Sequence, residues 1–190
     1  MQAETVVDPL IEQLREAVRL GEVGAITDRI KHTLESFIPS EGLIFPERFH
    51  RVKPEGYSRR LLYRDPELGF TALVMTWGPG QKTALHDHSG IWCVEGVLEG
   101  EMAVQRFEQL EEPAPGVFRF ASREVLGATA GSAGALIPPL EHHILSNPSD
   151  RIALTLHVYG GEMDHCTTFE PVDEPAGLYR SQVKSLRYDE

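Results

Sequence analysis

Residues 77–100 read WGPGQKTALHDHSGIWCVEGVLEG. Two histidines, His86 and His88, stand at i and i+2 between a Gly/Pro-rich turn and an apolar run. In a β-strand such residues point to one face, so both imidazoles would project into one space. Neutral imidazole suits Fe, Zn, Cu and Ni, so the pair reads as half of a metal site. A lone His-x-His is common, and the third ligand has to come from elsewhere in the chain.

Working outward, short runs rich in Val, Leu, Ile and aromatics fill the chain from Tyr57 onward: YSRRLLYR, FTALVMTWG, IWCVEGVLEGEMAVQRFEQL, GVFRFASREVL, GALIPPL, HHILSN and RIALTLHVYGG. Gly, Pro, Asn and Asp separate them at the spacing of an all-β sandwich or barrel. No run has the length and period of a helix. Upstream, residues 8–20 place Leu10, Ile11, Leu14, Val18 and Leu20 near one helical face, with Asp8 as a cap, Pro9 in the first turn and Gly21 as the stop. A second helix is expected over 23–37, carrying Ile26, Ile30, Leu34 and Phe37, and a loop or short helical turn over 41–56. The fold class expected is mainly β: a small jelly-roll-like barrel preceded by two N-terminal α-helices. The 190 residues form one domain, with the helices within 1–40 and the barrel core over 57–170.

A chain of 190 residues buries roughly 70% of its unfolded surface and supports one full core. A net charge of −11 with no basic stripe argues against a nucleic-acid partner and reads as a solubility feature. No 18-residue apolar run predicts a membrane span, and MQAETVVDPL lacks the basic start and apolar core of a secretion signal. Two cysteines, Cys93 and Cys166, are too few for a disulfide framework. The expectation is a cytoplasmic protein, a monomer or weak homo-oligomer.

A third ligand is offered by His142-His143 in GALIPPLEHHILSN. Adjacent strand residues face opposite ways, so only one of the two can join His86 and His88. Gly80-x5-His86-x-His88 resembles the first cupin motif, and Pro138-x4-His143-x3-Asn147 resembles the second, with Leu140 in the usual Gly position. That resemblance selects His143 and leaves His142 as a partly exposed strand residue. Cupins commonly carry a Glu ligand shortly after the His pair. Here Cys93 stands in its place, Glu95 comes two residues late, and Gly100 keeps the motif's later glycine. Three histidines without a carboxylate leave three octahedral positions open and a more positive metal, which favours a thiolate; the common non-haem iron arrangement is two His and one carboxylate.

The stretch from about Tyr57 to Phe169 resembles the cysteine dioxygenases, which oxidise cysteine to cysteine sulfinate on non-haem Fe(2+). Tyr57-Ser58-Arg59 is similar to that family's Tyr-x-Arg, and Trp77-Gly78 precedes His86-Asp87-His88 as it does there. Cys93 stands at the family's crosslinking cysteine, Thr155-x-His157-x-Tyr159 resembles its Ser-x-His-x-Tyr relay, and Cys166-x-x-Phe169 matches a later pattern. The resemblance implies metal ligands His86, His88 and His143, and substrate binding by Arg59 and Tyr57. It further implies catalytic roles for Tyr159, His157, Thr155 and Cys93, with a thioether joining Cys93 to Tyr159.

Each of these positions has a physical reading of its own. Arg59 offers a planar, permanently charged fork for a carboxylate, and Arg60 points the other way as a solvated arginine. Thr155, His157 and Tyr159 alternate on one face, so a hydroxyl–imidazole chain is feasible. The partners expected are a small thiol and O2. L-cysteine is the first substrate, with 3-mercaptopropionate or mercaptosuccinate as alternatives because Arg59 fits any carboxylate. The rival classes are a non-catalytic metal-binding cupin and a Zn, Ni or Mn isomerase. The first lacks a partner-binding domain in this sequence, and the second usually uses the Glu that Cys93 replaces.

Overall fold

The structure is a computed structural model and describes residues 7–39 and 45–190. Helices α1 (Asp8–Val18) and α2 (Val23–Phe37) open the chain, and a single 3-10 turn covers Glu47–His50. Eleven strands follow: β1 (Ser58–Arg64), β2 (Thr71–Trp77), β3 (Leu85–His86), β4 (Cys93–Glu99), β5 (Glu101–Ala114) and β6 (Val117–Thr129), then β7 (Ala133–Leu136), β8 (His143–Ser146), β9 (Ala153–Tyr159), β10 (His165–Asp173) and β11 (Leu178–Ser185). One sheet has the order β1-β2-β9-β4-β7, and the other closes on itself as β10-β11-β6-β5-β8-β3. Every recorded strand pairing is antiparallel. The result is the two-sheet jelly roll of a cupin, mainly β as expected.

The five-stranded sheet is covered on both faces, and its sequence explains how. Along β2 and β9 every residue is buried. Ala72, Val74, Leu154, Leu156 and Val158 pack outward with Leu10, Leu14, Ile30 and Leu34 of the two helices. Each such aliphatic side chain contributes about 1.5–3 kcal/mol on burial. The alternate residues Leu73, Met75, Trp77, Ala153 and Tyr159 face the interior between the sheets. Gly96 in β4 makes the close approach of α2 possible: a Cβ there would lie 2.9 Å from Ile38 Cδ1 and 3.2 Å from Leu34 Cδ1. Gly100, at φ +79°, turns β4 directly into β5, and a Cβ there would lie 2.9 Å from the Ile152 carbonyl.

The helix limits agree with the sequence except in detail. Asp8 lies inside the first turn of α1 and Val7 occupies the cap position without a side-chain bond. In α2 the cap is Glu22, whose carboxylate accepts from the Gly24 and Ala25 amides. Of the loop or turn expected over 41–56, the part before residue 45 lies outside the described residues. The strands run on to Ser185, past the limit near 170 expected for the barrel core. HCTTFEPVD and LYRSQVKS are polar on one face and broken by Pro171, which hides β10 and β11 from a reading based on apolar runs.

Candidate active site

The three histidines converge, although not as a simple strand face. His86 is the last residue of the two-residue strand β3 and pairs across it with His143 at the start of β8. His88 lies beyond the strand end, next to Ser89 at φ 53°. Ring centroids are 4.7 Å apart for His86–His143, 5.1 Å for His86–His88 and 5.2 Å for His88–His143. One nitrogen from each lies within 4.8 Å of the others.

The outer ring nitrogens are each occupied. His86 Nδ1 lies 3.0 Å from the Ala84 carbonyl, His143 Nδ1 3.1 Å from the Glu141 carbonyl, and His88 Nδ1 3.1 Å from Glu141 Oε2. The same Glu141 oxygen accepts the His88 backbone amide at 2.9 Å. All three partners are acceptors, so each neutral ring carries its proton on Nδ1 and leaves Nε2 as a lone pair. Burial and the neighbouring imidazoles lower the pKa of His86 to about 3 and that of His143 well below its usual value. Three neutral Nε2 donors with their far sides hydrogen-bonded are a donor set that fits a divalent metal. Glu141 is the residue the sequence reading missed. Its signal was an acid placed directly before the His142-His143 pair.

The other sheet supplies the rest of the site. The pleat of β9 turns Thr155, His157 and Tyr159 inward together. Thr155 Oγ1 is 2.8 Å from His157 Nε2 and accepts from Trp77 Nε1 at 2.9 Å, while the Tyr159 hydroxyl is 3.4 Å from His157 Nδ1. Burial lowers the pKa of His157 to about 3 and raises that of Tyr159 well above the usual phenol value. Cys93 lies opposite Tyr159 in the β4–β9 register. Burial first, then Glu95, pushes its thiol well up, against a hydrogen bond with Tyr159.

A small cavity of about 80 Å3 is lined by His86, His88, His143, Arg59, Tyr57, His157 and Tyr159, with Glu95, Met163, Cys166 and Leu186 among its other walls. Thr155 and Cys93 stand behind that wall, touching the site through His157 and Tyr159. Tyr57 stacks on Trp77 with centroids 4.5 Å apart, and burial raises its pKa. Arg59 is 6% exposed. Its guanidinium donates to the carbonyls of Met163 (3.0 Å) and Arg187 (3.3 Å) and lies 5.6 Å from the Tyr188 ring. Two of its N–H groups are thus engaged and the others remain for a ligand.

Two expectations require correction. His142 is buried, not partly exposed: its ring packs 5.1 Å from Phe120 and 5.5 Å from Phe169, on the side opposite His143. Arg60 does point away from Arg59 but is not solvated. It is buried and donates to the Ser58 and Thr76 hydroxyls and to the carbonyls of Arg51 and Glu190. The loop before β1 and the chain end cover that face, which no local pattern announces.

A family model described as cysteine dioxygenase type I matches residues 1–172. The chain belongs to that family. The cysteine dioxygenase type 1 of Danio rerio is 23% identical over 174 residues, covering 90% of this chain and 81% of the relative. Similar solved structures include a protein from Thermus thermophilus (25% identity, 61% of this chain and 94% of that chain, TM-score 0.46). Another is a Klebsiella pneumoniae protein with a double-stranded β-helix domain (18% identity, 64% and 86%, TM-score 0.47). Membership in the cysteine dioxygenase family makes this chain a thiol dioxygenase in general terms and gives its histidine cluster a metal ion to hold. Among the described residues, no helix is long and apolar enough to cross a membrane.

Proposed function

We propose that the chain oxidises L-cysteine with O2 to cysteine sulfinic acid at Fe(2+) held by His86, His88 and His143. Both oxygen atoms enter the product, and the four electrons that sulfur loses are those that O2 gains, so no further reductant is needed. The ion would supply open coordination positions and lower the pKa of a thiol bound there.

The remaining work falls to the protein's own side chains. Arg59 binds the substrate carboxylate through its free N–H groups, in a dry site where a charge-assisted pair is strong. Tyr57, held flat against Trp77, shapes that end of the cavity. Tyr159 directs its hydroxyl at the reacting end, and His157 fixes the hydroxyl's direction because Thr155 and Trp77 hold the imidazole. The depth at which Arg59, His88, His143, His157 and Tyr159 are buried limits the access of bulk water to the sulfur.

The observation that carries this reading is the convergence of three inward Nε2 lone pairs beside a buried arginine with unused N–H groups. The test is O2 uptake and sulfinate formation by Fe(2+)-loaded protein with cysteine, cysteamine, 3-mercaptopropionate and mercaptosuccinate. Cysteine is expected to be the best substrate; no uptake with any thiol overturns the assignment. We further infer that turnover joins Cys93 Sγ to the Tyr159 ring: the thiol S–H and one ring C–H break, a C–S bond forms, and O2 takes up the two electrons and two protons and leaves as H2O2. Peptide mass analysis after turnover reads it, and a Cys93 peptide free and alkylatable in every sample rules it out.

A further inference from the structure

Glu95 has no part in the metal centre or the relay, yet it is built into the same cavity. It sits in β4 two residues after Cys93, so the pleat turns it inward with Cys93 and Val97, and it pairs with His157 across the sheet. Its side chain is 11% exposed and its Oε2 lies 3.4 Å from His157 Nδ1. The Tyr159 hydroxyl lies at the same 3.4 Å from that ring nitrogen and competes for it. Glu95 Oε2 forms no hydrogen bond there and is buried without a hydrogen-bond partner. A buried carboxyl oxygen left unpaired is costly, and such groups mark places where a ligand completes the network.

The groups facing it define what that ligand is. Arg59 of β1, His86 of β3, His88, His143 of β8, His157 and Tyr159 of β9 and Lys184 of β11 line the cavity with it, and Cys93 is its neighbour on β4. None of them offsets its burial, which alone raises its pKa to about 8. The cavity thus presents one buried guanidinium for an anion, with the exposed Lys82 and Lys184 also on its wall, and one unpaired carboxyl for a hydrogen-bond donor.

We propose that Glu95 is the amine-reading residue of the pocket, accepting an N–H of the substrate's amine while Arg59 holds its carboxylate. The substrate class is then an α-amino thiol acid. A mercaptocarboxylate without an amine leaves Glu95 Oε2 unpaired, and a second carboxylate sets like groups against each other. This deepens the cysteine reading above and rests on it.

The experiment compares the parent with E95Q and E95L in two arms. The first measures kcat/KM of the Fe(2+)-loaded proteins for cysteine, 3-mercaptopropionate and mercaptosuccinate. The cysteine over 3-mercaptopropionate ratio is expected to fall about tenfold or more in E95L, with partial rescue in E95Q, whose amide oxygen still accepts. Mercaptosuccinate should gain in both variants. The second arm measures anaerobic thiol affinity, where cysteine should weaken in E95L and 3-mercaptopropionate should not. Ratios and affinities equal across the three proteins overturn the role of Glu95 while leaving thiol oxidation intact. A parent that oxidises no thiol overturns the function instead. The anaerobic arm then decides alone: a cysteine preference lost in E95L supports Glu95, and equal affinities overturn it.

Discussion

The two sheets divide the site between them. The ring of β10-β11-β6-β5-β8-β3 carries His86 and His143, with His88 just past β3, whereas the five-stranded sheet carries Arg59, Glu95 and the Thr155–His157–Tyr159 series. The five-stranded sheet is buried on both faces under α1 and α2, but much of the long β5–β6 hairpin of the other is exposed. The metal side therefore depends on a few local hydrogen bonds around Glu141, and the organic side on a packed slab. The lesson is that metal affinity and thiol selectivity are separable properties here, each alterable from its own sheet.

The largest effect expected is from H143A, which removes a donor on the metal side: stoichiometric Fe(2+) binding and all oxygen uptake should be lost, while the helix-covered sheet keeps the fold, readable by circular dichroism and metal analysis. Next is R59Q on the organic side. Losing charge-assisted bonds of about 1.5–3 kcal/mol each should lower kcat/KM for cysteine about 100-fold, mostly through KM, with metal content unchanged. E141Q should return to the metal side and weaken metal affinity roughly 10–100-fold in a chelator competition, because His88 loses its carboxylate acceptor.

The smallest effect is on stability against pH in the metal-free protein. Glu95 has its pKa raised to about 8 from 4.5, so the folded state holds the proton that the unfolded state releases. Its contribution is fully present below pH 4.5 and is lost as pH rises towards 8. His157 has its pKa lowered to about 3 from 6.5, so its neutral burial favours folding above 6.5 and is lost as pH falls towards 3. Denaturation midpoints should therefore fall on both sides, and E95Q should flatten only the alkaline side. An alkaline slope unchanged in E95Q would sever the link between the buried carboxyl and the packed sheet.

Much of this was legible beforehand, for identifiable reasons. The apolar positions of α1 and α2 recur at helical spacing because one face alone is buried. Thr155, His157 and Tyr159 could be placed on one face because a strand's period is two. The same rule applied to Cys93 would have delivered Glu95, which was set aside because it comes two residues late for the motif's Glu ligand. What stayed hidden depends on contacts distant in sequence. His142 is buried only because Phe120 and Phe169 come from β6 and β10. Arg60 is buried only because the 45–56 segment and the chain end close over it. Glu141 acts through a loop geometry that no periodicity encodes.

Residues 184–190 lie beyond the span shared with the family model, yet they finish the cavity. Lys184 and Leu186 form part of its wall, the Arg187 carbonyl holds the Arg59 guanidinium, and the Asp189 amide donates to the Arg59 carbonyl at 2.7 Å. Changes to this ribbon would therefore reshape the pocket wall and the seat of Arg59 without touching His86, His88 or His143. For protein engineering, that ribbon is a handle on pocket shape: exchanging it between relatives is expected to change which thiol is preferred while the histidine cluster stays in place.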